Sequence, residues 1–162
     1  MSTKKLTMMS VLVAIGVVGA QYIWFPAGVA KAYPVQHAIN VMSAVMLGTG
    51  PAVMVAFLIG LIRNALGLGT LLAFPGGMIG AFLAGYLYSK VDKKWAAATG
   101  EVIGTGVIGA FIAFPVSNFL LGTSVGAWFF IPSFLVSSVA GAAIGWIVVS
   151  RLRVFIRSTI QS

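Results

Sequence analysis

The side chains able to do chemistry in this 162-residue chain are few: one histidine, His37, two acids, Asp92 and Glu101, and no cysteine. A hydrolase needs a nucleophile, a base within reach and an oxyanion hole, and no serine here has an evident base at its depth. One histidine and two separated acids make neither a zinc ligand set nor a carboxylate pair for acid–base work. No glycine-rich phosphate loop ending in Lys-Ser/Thr is present, so the chain has no means of using ATP by itself. The pattern points away from an enzyme and toward binding.

The candidates for binding are neutral polar groups and one arginine. Gln36, His37 and Asn40 are three and four residues apart, so they share one face of a helix. A neutral imidazole offers one donor and one acceptor, which suits a heteroaromatic nitrogen or a hydroxyl; a bond to a backbone carbonyl or to Asn64 is the plainer use. Arg63 keeps its charge and either meets a ligand or ties down the carbonyls between Gly67 and Thr70. Asn40 and Asn64 serve equally as ligand contacts or as glue between helices, and Asn118 joins the set from a later segment. Tyr33 and Trp128 are the aromatics placed to stack on a flat ligand. Their neighbours Tyr22, Trp24, Phe25, Phe74, Phe114 and Phe129 fit an interfacial belt. Glu101, near Lys93 and Lys94, reads as half of an interfacial ion pair.

The elements that must carry these groups are membrane helices. Hydrophobic residues make up 60% of the chain and charged ones 7%, against about 25% charged in a soluble domain, so lipid has to cover most of the surface. A spanning helix takes about 20 residues, which predicts an all-α integral membrane protein, one domain over residues 1–162, with about six spans. Helix 1 is expected from Leu6 to Trp24 as a retained span, since its apolar stretch is longer than a signal-peptide core. Proline and glycine mark the later boundaries: helix 2 from Pro34 to Leu47, helix 3 from Pro51 to Leu66, helix 4 from Phe74 to Tyr88, helix 5 from Ala96 to Leu121 and helix 6 from Ser124 to Val149. Phe25 to Tyr33 and Gly67 to Ala73 read as loops. Phe-Pro recurs at Phe25-Pro26, Phe74-Pro75 and Phe114-Pro115, at or within a span, and the first two mark helix breaks on the outer side.

Basic residues set the orientation. With both termini in the cytoplasm, eight of the ten basic residues (Lys4, Lys5, Lys90, Lys93, Lys94, Arg151, Arg153 and Arg157) lie inside, and only Lys31 lies outside. The formal charge of +8 therefore belongs to membrane topology, not to nucleic-acid binding. The polar set then converges on the outer third of the bundle. Buried polar groups in a bilayer normally face a cavity, so an outward pocket is expected. Small residues at Ser10, Ala14 and Val18, and at Gly141 and Gly145, suit close helix packing or a docked protein.

The stretches Phe25-Pro-Ala-Gly28, Tyr33-Pro-Val-Gln-His-Ala-Ile-Asn40, Arg63-Asn64 and Gly69-Thr-Leu-Leu-Ala-Phe-Pro-Gly-Gly77 resemble the ThiW family, thiazole-specific S-components of energy-coupling factor (ECF) transporters. The likeness spans nearly the whole chain. It implies a multi-pass subunit of a bacterial cell membrane that captures the thiamine precursor 4-methyl-5-(2-hydroxyethyl)thiazole from outside. It also implies partners: a transmembrane coupling protein and two cytoplasmic ATPases, which use the ATP, while this chain binds no cofactor or metal. Helix 1 would dock through Ser10 and Ala14, a looser version of the family's alanine pair, and Phe25, Pro26, Gly28 and Lys31 would form a lid. The alternatives are an S-component for another vitamin or precursor, such as thiamine or a pyrimidine, a structural subunit without a small ligand, and a self-sufficient secondary transporter. A cationic ligand would call for carboxylates near the pocket, and none is expected there.

Overall fold

The computed structural model describes residues 2–152 except Val29, Leu121, residues 123–125 and Ala127. Six continuous helices and one short hairpin make up these residues. Helix α1 (Thr3–Tyr22) is capped by Ser2, whose side chain accepts from Lys5 N. The chain then forms an antiparallel hairpin, β1 (Phe25–Ala27) and β2 (Ala30–Ala32), with Phe25 opposite Ala32. The sequence reads this stretch as a loop. Pro26 is tolerated there because a two-stranded ribbon leaves edge positions that need no N–H donor.

Helix α2 (Pro34–Leu47) opens on its proline, as expected. Helix α3 (Thr49–Ala65) starts two residues earlier than its proline suggests, because Pro51 sits in the first turn, where no N–H is needed. Helix α4 (Ala73–Val91) holds Pro75 in the same way and ends on Asp92 in a left-handed conformation. Helix α5 is one rod in three segments: an α turn set (Lys94–Glu101), a π stretch (Val102–Gly109) and a second α stretch (Ala110–Leu120). Pro115 lies inside it and does not end it, as a helix expected to run from Ala96 to Leu121 requires. Helix α6 (Ile131–Arg151) begins with Pro132 in its first turn, several residues after the expected start at Ser124, which lies outside the described residues. Arg153 and Arg157 also lie outside them.

Three helices, Thr3–Tyr22, Lys94–Phe119 and Ile131–Arg151, are long and apolar enough to cross a membrane, and Thr49–Ala65 is a shorter apolar helix. The lipid-facing character is plain on their surfaces, where Val11, Ile15, Val18, Ile144 and Ile147 are exposed. Between helices the core is made of small side chains: Ala44, Ala52, Ala56, Ala81, Ala84, Ala97 and Ala142 surround Val41. Lipid tails are as apolar as the core, so such helices associate by close packing and polar contacts instead of by the hydrophobic effect. A second cluster, with Met9, Leu12, Val13, Ile39, Val55 and Ile59, fastens α1 to α2 and α3.

Contacts across the bundle define its two ends. Gly104 packs on the backbone of Gly80, so α4 and α5 run antiparallel at van der Waals distance. Gly145 lies against Ala38 and Gly141 against Pro34 and His37, so α2 and α6 run parallel. One end therefore carries the hairpin. The other carries the start of α5 and the end of α6, joined where Lys94 Nζ donates to Val149 O (2.6 Å). The small-residue stripe of α6 is thereby used within the bundle.

Gly141 tests this packing. A Cβ there would lie 2.5 Å from His37 Cβ and closer still to Pro34 O, and backbone cannot give way as a flexible side chain does. Gly141→Ala is expected to lower stability by about 1–3 kcal/mol, the usual range for overpacking. Val139→Ala, on an exposed position of the same helix, is expected to change little. Thermal unfolding of both purified variants in detergent checks the contrast.

Candidate functional site

A cavity of about 490 Å3 lies between the hairpin, the turn after α3, and helices α2, α4, α5 and α6. Each element delivers a part. Strand β2 supplies Lys31 and the residue after it Tyr33, α2 supplies Gln36 and His37, and α3 supplies Arg63. The turn contributes Gly67 to Thr70, α5 contributes Thr105, and α6 contributes Ser133 and Ser137 with the apolar faces of Phe130 and Phe134. The hairpin is tied to α6 at this level: Ser133 Oγ donates to Ala27 O, and Tyr33 N donates to Ser137 Oγ (2.8 Å).

Arg63 is 2% exposed and belongs to the wall of the site. Its Nη1 donates to Gln36 Oε1, its Nη2 donates to Leu68 O (3.0 Å), and its guanidinium lies 4.1 Å above the centre of the Tyr33 ring. The contact with Leu68 is the loop-tying role open to it from sequence. The bond to Gln36 fixes which way that amide faces, with its nitrogen toward Gly77. A planar fork that holds an amide, a carbonyl and an aromatic face at once is a task for arginine.

Glu101 overturns its sequence reading. It is fully buried, and its partners come from the site and not from Lys93 or Lys94. His37 Nδ1 lies 2.8 Å from Glu101 Oε1, Asn40 Nδ2 donates to the same oxygen (3.1 Å), and Thr105 Oγ1 lies 2.8 Å from it. Asn40 Nδ2 also donates to Gly77 O (3.1 Å), and Thr105 Oγ1 is 3.0 Å from Gly76 O. Among the described residues, Glu101 Oε2 and Asn40 Oδ1 are buried without a hydrogen-bond partner. Lys94 instead reaches Val149 O. A carboxylate therefore does lie beside the cavity, one layer behind His37, contrary to the expectation that none would.

Depth counted along α2 and α5 from their own starts runs from opposite ends of the bundle. Helix α2 has only 14 residues. Asn40 is seven residues from Leu47 at one end of the bundle, and Glu101 is seven residues from Lys94 at the same end. At 1.5 Å per residue both lie about 10 Å from that end, so they are level. Thr105 escaped notice as well. It is four residues after Glu101, and the π stretch starting at Val102 brings its hydroxyl back to the carboxylate. Ser133 and Ser137, four apart and in line with Gly141, were legible as one polar edge of α6.

The remaining candidates separate into groups. Tyr33, Gln36, His37 and Arg63 line the cavity, while Asn40 lies beneath it. Asn64 Nδ2 donates to Gly60 O (2.8 Å) and reaches Thr70 O (3.4 Å), securing the turn from behind. Asn118 is not part of the cavity wall. Trp128 is 73% exposed, packs edge-on against Phe111 and stands away from the cavity. Of the expected lid residues, Lys31 reaches the cavity and also sits 3.9 Å over Trp24. Phe25, Pro26 and Gly28 form the hairpin itself, and Gly28 has a φ of 65° at its turn. Ser10 and Ala14 lie on the exposed face of α1, and Ser10 Oγ bonds back to Leu6 O (3.1 Å).

Two substitutions separate the roles on α3. Arg63→Met leaves Gln36 Oε1 and Leu68 O without their donors, and an unmade buried bond costs about 1–3 kcal/mol. Loss of stability in that range is expected, measured by thermal unfolding. Asn64→Ala removes a bond to an already helical carbonyl and a long one to Thr70, and is expected to cost less than about 1 kcal/mol.

Neither a curated protein nor a solved structure matches the sequence. The family described as thiamine-precursor transporter protein (ThiW) matches residues 6–155, which takes in every element of the cavity. ThiW is a transporter family and not an enzyme family, in keeping with a site that holds hydrogen-bonding and aromatic groups around one cavity. This chain, a membrane protein, belongs to the ThiW family of thiamine-precursor transporters.

Proposed function

We propose that the chain is the substrate-binding membrane subunit of an ECF-type importer and that its ligand is 4-methyl-5-(2-hydroxyethyl)thiazole, taken up from outside. The observation that carries this reading is the cavity itself. Neutral hydrogen-bonding groups, from Gln36, His37, Thr105, Ser133 and Ser137, meet the aromatic faces of Tyr33, Phe130 and Phe134 around one volume. Small-molecule sites are mostly apolar with a few placed polar groups. A heteroaromatic alcohol needs that mixture, with a flat slot for the ring and a partner for its hydroxyl.

The full-chain reading has six crossings with both termini in the cytoplasm. Lys4, Lys5, Lys90, Lys93, Lys94 and Arg151 then lie inside, and the hairpin lies outside above the cavity. Release inside requires energy that the chain does not supply. A transmembrane coupling protein and two ATPases would provide it, with α1 docking through the face that bears Ser10 and Ala14. The volume of about 490 Å3 and the Glu101 carboxylate behind His37 favour one second reading, a larger or cationic precursor such as a pyrimidine or thiamine itself.

Calorimetry on the purified chain with the thiazole alcohol, a pyrimidine alcohol and thiamine decides between them. Tight binding of the thiazole alcohol, weakened about tenfold or more by His37→Ala, is the expected result. No binding of the thiazole by the intact protein would sink the assignment. A bulky change on the docking face, Ala14→Trp, is expected to leave binding unchanged and to abolish uptake in cells that carry the coupling protein and ATPases. Uptake that survives without those partners would remove the ECF reading.

A further inference from the structure

The carboxylate behind His37 decides what that imidazole offers to a ligand. Glu101 Oε1 receives the Asn40 amide N–H, and a carboxylate oxygen has no hydrogen to give. His37 Nδ1, 2.8 Å from the same oxygen, must therefore carry the hydrogen between them. In a neutral imidazole the lone pair then resides on Nε2. Nδ1 is the hydrogen-bonded atom of the His37 ring among the described residues, and the ring is part of the cavity wall.

The acceptor role belongs to the neutral ring. The titratable groups that touch the ring or share its cavity are Glu101 on α5, Arg63 on α3, Lys31 on β2 and Tyr33 just after it. A ring cation would be the third at this cavity, after Arg63 and Lys31, with Glu101 as the one acid beside it. The only other acid in the chain, Asp92, ends α4 at the opposite end of the bundle.

We propose that Glu101 is a specificity-determining positioning residue: acting through His37, it makes this part of the cavity a hydrogen-bond acceptor. It thereby selects ligands that donate, an alcohol or an N–H, over analogues of the same shape that only accept. This rests on the reading that the cavity is the ligand site. A site built around a buried hydrogen bond rejects an analogue lacking the partner, because its own polar group is left unpaired. Asn40 and Thr105 serve the same end by holding the carboxylate in place from two other directions.

The chain has a single histidine, so 15N-labelled histidine gives one pair of ring resonances without assignment. In the intact, ligand-free protein at neutral pH, a hydrogen on Nδ1 and none on Nε2 is expected. The free side chain in water prefers the opposite tautomer, and Glu101→Ala is expected to return to it, while Glu101→Gln, which keeps an acceptor, retains the Nδ1 hydrogen. A hydrogen on Nε2 in the wild-type spectrum, as either tautomer or imidazolium, overturns the proposal without reference to any ligand. The second arm compares the thiazole alcohol with its methyl ether. The ether should bind the intact protein about tenfold or more weakly, and Glu101→Gln should keep that ratio. Equal affinity for alcohol and ether also overturns the proposal. If neither compound binds but the Nδ1 hydrogen is present, the acceptor-presenting site stands and the thiazole assignment alone fails.

Discussion

A buried carboxylate in a membrane bundle must be surrounded by donors, and this requirement organises the centre of the molecule. Glu101 draws His37 and Asn40 from α2 and Thr105 from its own helix onto one oxygen. Each of those side chains is then committed to one orientation. The helices that carry them must approach closely enough for bonds of about 3 Å, which is why the backbones of Gly80 and Gly104 meet directly and why His37 packs on a glycine of α6. With no hydrophobic force to join helices in lipid, such polar contacts and close approaches are what hold α2, α4, α5 and α6 in register.

A second polar centre forms around Arg63, which also lines the cavity. Its guanidinium holds Gln36, Leu68 and the face of Tyr33, and so joins α2 to the turn after α3. The two centres share helix α2, where Gln36 belongs to one and His37 to the other. Arg63 and Glu101 each hold a set of partners at this cavity. Its polar atoms are already partly committed, which leaves few groups free for a ligand and makes those few selective.

The hairpin belongs to this arrangement. Ser133 and Ser137 bond to the chain on either side of β2, and both also line the cavity. A ligand that reached either serine would touch the same groups that hold the hairpin in place. The fold thus connects the occupancy of the site with the segment above it through two hydroxyls, with no long-range mechanism required.

Much of this was legible in the residues themselves. Composition dictated a membrane bundle, because ten basic and two acidic side chains cannot solvate a chain of this length. Proline at the first turn of α2, the short connections, and the shared face of Gln36, His37 and Asn40 followed from local backbone and helical geometry. What local rules could not decide was which helices face one another and at what depth. Glu101 beside two lysines has every appearance of an interfacial acid until α2 and α5 are laid side by side. The π stretch and the unbroken passage through Pro115 likewise depend on neighbours that satisfy or displace backbone bonds. Trp128 near the polar set in sequence turned out to face away from it. Periodicity reports the face of a helix within its own frame, while the rotation and height of each helix against the others are set by packing of small residues and by the demand that buried charge find its partners.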